Sequence, residues 1–271
     1  MTASHTTRSS SSWTGLLLAL PLVLFLAAVV AWPVAHLAAR VFSTQDALRA
    51  VLAAGRYRTS LVNSLALSAV AAVVSVLLAL WPAWVLAGER FRGRDLLRTF
   101  VFLPLTFSGV LVGFLMVVML GRVGAIPKAI GFLTGHEAFA GSAYTLAGLF
   151  VAYLYFEVPR AVVTLESAFR RYPRELDGAA RALGAGPVER LVKVALPLAA
   201  PALRSTLAVT FSASMGSFGV ALILSRRFTV APLEIYTEMT GFLNDDVAGA
   251  LCLLLALATL GMDRLLSMGR R

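Results

Sequence analysis

Few residues in this sequence have the types and spacing that catalysis requires. His136-Glu137 begins like a zinc-protease motif, but position 140 is alanine, so the second histidine ligand is missing. A Gly-x-x-x-x-Gly-Lys-Ser/Thr phosphate-binding loop is also missing, and the lone Cys252 excludes disulfide and multi-cysteine zinc frameworks. The sequence therefore predicts a chain that is not an enzyme itself and that binds no metal or cofactor.

Hydroxyl side chains within apolar segments are the other candidates for chemistry. Thr210, Ser214 and Ser217 fall on one helical face, and Thr106 and Ser108 lie in an earlier apolar segment. Two interpretations are open for both sets. The hydroxyls can pack against a neighbouring helix or bond to their own backbone, or they can line a path for a polar solute.

A charged pair lies in a further apolar segment. Glu157 and Arg160 are three residues apart, so they can face each other on a helix. Because an unpaired charge at the bilayer centre costs about 2.5–3.5 kcal/mol on insertion scales, pairing is the cheaper arrangement. A structural pair and a role in gating or ion relay are both open.

The composition places these residues in a membrane protein. Of the 271 residues, 59% are hydrophobic and 14% are charged, and the mean hydropathy is +0.82. A soluble domain of this length is not so apolar. The net charge of +10 comes from arginines in short loops between apolar segments, which indicates membrane orientation rather than nucleic-acid binding.

The hydropathy pattern predicts an all-α polytopic protein with six transmembrane helices, each near the roughly 20 residues that a bilayer requires. The predicted spans are residues 13–39, 60–87, 99–120, 142–165, 198–224 and 247–266. Between them we expect a polar connector at 40–59, a short interfacial helix within 121–141 and a polar loop at 225–246. The spans form one domain, 13–266, flanked by a disordered cytoplasmic tail at 1–12 and a cytoplasmic tail at 267–271.

Charge asymmetry predicts the orientation. With the N-terminus inside, sixteen of the 24 Lys and Arg residues lie in cytoplasmic segments or span ends. The positive-inside rule then places both termini and the loop 170–197 in the cytoplasm.

The loop 170–197 is a polar island with the pattern of two short helices. Pro173 suits the first turn of a helix, Glu175 favours its positive end, and Gly184 can end it in the left-handed conformation. The residues at apolar spacing in this first helix are Leu176, Ala179, Ala180 and Leu183.

A second short helix follows in the same loop. Pro187 and Glu189 can open it, and Pro197 can end it. Asp177 to Arg181 and Glu189 to Lys193 have the i, i+4 spacing of helical ion pairs. The loop therefore predicts a compact helix-turn-helix outside the membrane.

This loop resembles a known family. Gly178-Ala-Ala180, then Gly184, then Val194-Ala-Leu-Pro197 are similar to the cytoplasmic "EAA" loop of permease subunits in binding-protein-dependent ABC importers, which have a methionine-importer-like transmembrane domain. The family usually has an acidic residue where this chain has Gly178. Asp177 or Glu175 is then the candidate to replace it.

The resemblance implies partners and site residues. Two permease subunits, the same chain or different chains, form the pathway for a small polar solute in a bacterial inner membrane. Each subunit presents its loop to a cytoplasmic ATPase, which holds ATP and Mg, while an extracytoplasmic solute-binding protein delivers the solute. The implied ATPase-coupling residues are Glu175, Leu176, Asp177, Gly178, Ala179, Ala180, Leu183, Gly184 and Pro197.

The motifs that bear on the substrate class are less specific than the loop motif. Gly216-Ser-Phe-Gly219 ahead of Pro232-Leu-Glu-Ile-Tyr-Thr-Glu238 resembles the branch that handles polyamines, ferric iron, thiamine, sulfate or phosphonates. Two alternatives to an importer subunit are a self-sufficient secondary transporter or channel and a membrane scaffold. A secondary transporter is expected to carry intramembrane carboxylates or inverted repeats.

Overall fold

The computed structural model describes residues 12–43, 45–88, 91–134, 139–171, 173–226 and 228–268. In these ranges all regular structure is helical, which confirms the predicted all-α class. His136-Glu137 and all but the last residue of the predicted N-terminal tail lie outside the described residues.

The α-helices in chain order are α1 Ser12–Leu26, α2 Trp32–Ser43, α3 Gln45–Ala53, α4 Gly55–Gly88, α5 Arg94–Phe102, α6 Gly109–Leu120, α7 Ala125–Thr134, α8 Leu146–Phe169, α9 Arg174–Ala182, α10 Pro187–Arg190, α11 Leu196–Leu198, α12 Ala200–Met215, α13 Phe218–Leu224, α14 Ala231–Thr240 and α15 Asp245–Ser267. Two π-helical turns cover Ala27–Ala31 and Leu191–Ala195, and two 3₁₀ turns cover Leu103–Thr106 and Ser142–Tyr144.

Five segments of the described chain are long and apolar enough to cross a membrane. They are Ala19–Ser43, Gly55–Gly88, Gly109–Thr134, Leu146–Phe169 and Asp245–Leu266. A sixth crossing results if Pro187–Leu198 and Ala200–Met215, which meet at 80°, form one bent span. The polytopic membrane fold is therefore confirmed.

The third predicted span contains a break that the hydropathy pattern did not predict. A 3₁₀ turn containing Pro104 follows α5, and the backbone is then extended at Phe107 and Ser108 before α6 begins. The Ser108 hydroxyl accepts a hydrogen bond from the Leu111 amide, which fixes the start of α6.

The fifth predicted span is broken in the same way, at Gly216 and Ser217 between α12 and α13. The two breaks lie against each other. A Cβ atom on Gly219 would come 2.8 Å from the amide nitrogen of Val110, so the backbones at the starts of α6 and α13 are in direct contact. Glycine permits this approach because it has no side chain.

The connectors contain more helix than predicted. The region 121–141 holds a short helix, α7, but α7 is part of the apolar segment Gly109–Thr134 rather than a separate interfacial helix. The polar regions 40–59 and 225–246 also contain helices, α3 and α14. α14 packs against α4, α13 and α15. The interpretation of 225–246 as a polar loop is wrong, because this region contains α14, whose Glu234 and Glu238 are buried and pair with Arg56.

The bundle is built around α4 and α8, its most extensive helix pair. Ala79 and Ala83 of α4 and Ala161 of α8 are fully buried, and such small residues let membrane helices pack closely. We call the end of the bundle that carries α9 and α10 the loop side, and the end that carries α3, α7 and α14 the opposite side.

Candidate functional site

The described part of the loop 170–197 folds into the predicted helix-turn-helix. α9 ends in a Schellman motif, in which the Gly184 amide donates to the Arg181 carbonyl at 2.9 Å and the Ala185 amide donates to the Ala180 carbonyl at 3.0 Å. Gly184 has a φ of +82°, the left-handed conformation predicted for it. The turn between the two short helices is thus fixed by backbone geometry.

The apolar residues of α9 face away from the bundle. Leu176 and Leu183 are 43% and 88% exposed, Ala179 is exposed and Ala180 is half-buried. A Cβ atom on Gly178 would meet no heavy atom within 4 Å. This outward apolar surface, which we call the α9 face, is available to a partner in the isolated chain.

A buried arginine holds α9 to the rest of the loop. Nη1 of Arg190 donates to both carboxylate oxygens of Asp177 at 2.6 and 2.8 Å, and the Arg190 side chain is 8% exposed. Its guanidinium carbon also lies 5.2 Å from the ring centroid of Trp84 in α4. One side chain therefore links α9, α10 and the membrane bundle.

The two acidic residues near Gly178 are placed differently. Asp177 is bound by Arg190 and also accepts a hydrogen bond from Arg181 at 3.0 Å. Glu175 is exposed in the first turn of α9. Asp177 thus stabilises the loop internally, and Glu175 is the acid presented at its surface.

Pro197 lies where the loop turns into the membrane. Proline has no amide hydrogen, and the Leu196 amide ahead of it donates to Leu191 in a π-helical turn. α11 ends one residue after Pro197, and the 80° bend follows. The loop therefore meets the fifth span at a sharp, defined angle.

The candidate pathway hydroxyls occupy three environments. Thr106 and Ser108 are exposed at the break between α5 and α6. Ser217 is half-buried at the break between α12 and α13, whereas Thr210 and Ser214 are buried within the chain. Thr210 donates to the carbonyl of Thr206 at 2.8 Å, in the backbone-bonded arrangement.

Two buried carboxylates of α8 are paired with arginines. Glu157 accepts two hydrogen bonds from Arg160 at 2.7 and 2.9 Å, which confirms that these residues pair. Nearer the loop side, Glu166 pairs with Arg170 at 2.5 Å and with Arg98 of α5 at 3.5 Å. Glu166 thus joins α5 to the helix that leads into α9.

Sequence reasoning missed Arg190, Trp84 and Glu166. Arg190 and Asp177 are 13 residues apart and lie on two helices, so no helical spacing relates them. Trp84 lies in a largely apolar span that also contains Trp81, so it does not stand out. The meeting of Arg190 with Asp177 and Trp84 depends on tertiary packing, whereas Glu166 and Arg170 have the i, i+4 spacing of a helical ion pair, a signal that the sequence does contain.

Glu234 and Glu238 form a matching cluster on the opposite side. Both are 3% exposed on α14. Arg56 of α4 lies 2.6 Å from Glu234 and 3.6 Å from Glu238, and the Tyr57 hydroxyl donates to Glu238 at 3.0 Å. These contacts hold α14 against α4.

Comparison of the sequence with known families and proteins points to transport. The family model described as "Binding-protein-dependent transport system inner membrane component" matches residues 75–262. The molybdenum transport system permease protein ModB of Mycobacterium tuberculosis is 34% identical over 213 residues, 76% of this chain and 78% of that protein. A probable sulfate transport system permease protein of Chlorella vulgaris is 31% identical, over 70% of this chain and 72% of that protein.

A probable molybdenum ABC transporter permease protein of Haloferax volcanii is 31% identical over 66% of this chain, and the match spans 64% of that protein's length. Solved structures share the fold at low sequence identity. A bacterial alginate ABC transporter in complex with its periplasmic protein has a TM-score of 0.83 at 18% identity, covering 96% of this chain and 94% of that chain. The MetNI methionine ABC transporter has a TM-score of 0.55 at 19% identity, covering 80% and 100%.

Proposed function

Because the chain belongs to the binding-protein-dependent transport system inner membrane components, the permease subunits of ABC importers, we propose that its α9 face couples transport to a separate cytoplasmic ATPase. The observation that carries this proposal is the outward apolar face of α9, with Leu183 88% exposed, on a loop anchored by Arg190. In this arrangement the ATPase subunit holds ATP and Mg, and the permease chain itself holds neither.

The energetics support an external input. Shifting the ratio of two gate conformations from 1:99 to 99:1 requires a free-energy input that favours one conformation by about 5.5 kcal/mol. If the α9 face binds one state of an ATPase dimer more tightly than the other, the difference in binding free energy supplies such a bias. The stack of Arg190 on Trp84 and the pairing of Glu166 with Arg98 carry it from the loop to α4 and α5.

The remaining partners follow from the same assignment. Two permease subunits, this chain twice or this chain with a second permease, enclose the pathway in an inner membrane with both termini in the cytoplasm. An extracytoplasmic solute-binding protein docks on the opposite side. Relatives named as molybdenum and sulfate permeases support a small tetrahedral oxyanion as the solute.

A co-purification experiment tests the coupling site. Tagged full-length chain is isolated from its native membrane in detergent, and the associated ATPase is identified by mass spectrometry and by activity. Leu183→Glu is compared with Met268→Glu, which makes the same change at a 74% exposed residue at the end of α15. We expect Leu183→Glu to weaken ATPase association about thirtyfold, as for an interface hot spot of about 2 kcal/mol.

Met268→Glu is expected to retain the ATPase. Equal loss in both folded variants would contradict a role specific to the α9 face. Full retention in Leu183→Glu would contradict the proposed docking site.

A further inference from the structure

A second feature of the opposite side is a cavity whose lining includes no residue of the α9 face. The cavity, of about 870 Å³, lies among the outer end of α6, the 3₁₀ turn before α8 and the segment after α13. Its polar lining comprises Arg122, Ser142, Tyr144, Thr145 and Arg226. Among its lining residues no side chain is acidic.

Both arginines are positioned by packing rather than by ion pairs. The guanidinium carbon of Arg226 lies 5.0 Å from the ring centroid of Tyr144. The stem of Arg122 crosses Gly141, where a Cβ atom would lie 3.2 Å from Arg122 Cγ. Within the described part of the chain, no Asp or Glu forms a salt bridge with either arginine.

The two arginines are the charged groups of the described cavity lining. They follow the C-termini of α6 and α13, where cations are favoured. The Oγ atom of Ser142 is buried and does not face the open cavity, so a charged ligand there would depend on Arg122 and Arg226.

The cavity also lies on the broken spans. α6 and α13 end beside it, and both begin at the contact between Gly109 and Gly219. An ion bound in the cavity would therefore lie at the C-terminal ends of α6 and α13, and the N-terminal ends of the same two helices form the breaks.

We infer that this cavity is a binding site for a small tetrahedral oxyanion of the sulfate or molybdate type. Two guanidinium groups supply the charge and the planar donors that oxyanions prefer. The inference deepens the proposed function and rests on its oxyanion solute and its outward placement of the opposite side.

Site-specific protection of arginine tests the inference. The full-length chain in phosphatidylcholine nanodiscs is modified with phenylglyoxal, and the rate at each arginine is followed by mass spectrometry. Sulfate and molybdate are the probes, and sodium chloride at equal ionic strength is the control. At an oxyanion concentration ten times the dissociation constant, simple occupancy predicts about tenfold slower modification of Arg122 and Arg226.

Arg49 and Arg58, exposed on the same side, are the internal controls and are expected to be unaffected. Arg226→Gln is expected to abolish protection at Arg122, because the two groups share one ligand. Equal slowing at all four arginines, or none, overturns the site. Protection that requires added binding protein or anionic lipid, with oxyanion alone ineffective, also overturns it.

Uptake separates this site from the proposed function. Radiolabelled sulfate and molybdate are offered to proteoliposomes that contain the complete transporter and its binding protein. Oxyanion uptake without protection of Arg122 and Arg226 overturns the site and leaves the solute assignment standing. Protection without uptake supports the site and overturns the solute assignment.

Discussion

On the loop side a buried arginine is held by a partly exposed carboxylate, whereas on the opposite side buried carboxylates are held by a partly exposed arginine. Arg190 is 8% exposed and its partner Asp177 is 23% exposed, while Glu234 and Glu238 are 3% exposed and Arg56 is 46% exposed. In both places the buried member needs its partner, because an unpaired buried charge is costly.

The difference separates the tasks of the two ends. On the loop side, a single cation joins α9 and α10 to Trp84, and the apolar surface of α9 is left outward. On the opposite side, pairing withdraws two negative charges from the surface. Among the described residues that line the cavity, Arg122 and Arg226 are the charged ones, which suits an anion.

Removing the exposed partner on the opposite side is expected to have the largest effect. Arg56→Gln leaves two carboxylates buried on α14, with the Tyr57 hydroxyl as a neutral donor to Glu238. We expect a loss of about 3–5 kcal/mol in the free energy that holds α14 in place, the range for breaking a buried pair. Hydrogen exchange of α14 amides in nanodiscs measures it.

Exchange in α9 is the control for Arg56→Gln and is expected to be unchanged. Faster exchange in α9 as well would show that the two ends are not independent.

Removing the buried partner on the loop side is expected to have an intermediate effect. Arg190→Gln is expected to cost about 2–3 kcal/mol, the low end for a buried pair, since Asp177 is partly exposed. Arg181 pairs with the same carboxylate, but its side chain is 54% exposed. Arg181→Gln is therefore expected to cost about 0.2–0.5 kcal/mol. Exchange in α9 and ATPase association are the measurements, and equal effects of the two variants would contradict the anchoring role of Arg190.

The sequence predicted the loop well because its signals are local. Pro173, Gly184 and the apolar residues at i, i+3, i+4 and i+7 act within one or two helical turns, and the helix found, Arg174–Ala182, lies between the proline and the glycine. Hydropathy predicted the first, second, fourth and sixth spans for the same reason, since it reflects the composition of each segment alone, whereas the third and fifth predicted spans are broken.

The packing of the breaks and the position of α14 could not be predicted in that way. Pro104 and the capping residue Ser108 are local signals for the first break, but its packing against the start of α13 depends on a contact between residues 110 positions apart, Gly109 and Gly219. The sequence predicts that Glu234 lies in a polar loop, yet its side chain is buried and pairs with Arg56, 178 positions away. Long-range pairing of this kind leaves no periodic pattern in the sequence.

The smallest of the three effects concerns the turn that ends α9. Gly184 is left-handed, so Gly184→Ala places a Cβ atom in a strained backbone and is expected to destabilise the loop by about 1 kcal/mol. Gly178→Ala is the matched control, because Gly178 is within α9 and its Cβ position is open. It is expected to stabilise α9 by about 0.5–1 kcal/mol. Opposite changes in α9 hydrogen exchange would show that the turn is fixed by backbone conformation, whereas destabilisation by both would mean that the α9 face tolerates no added methyl group.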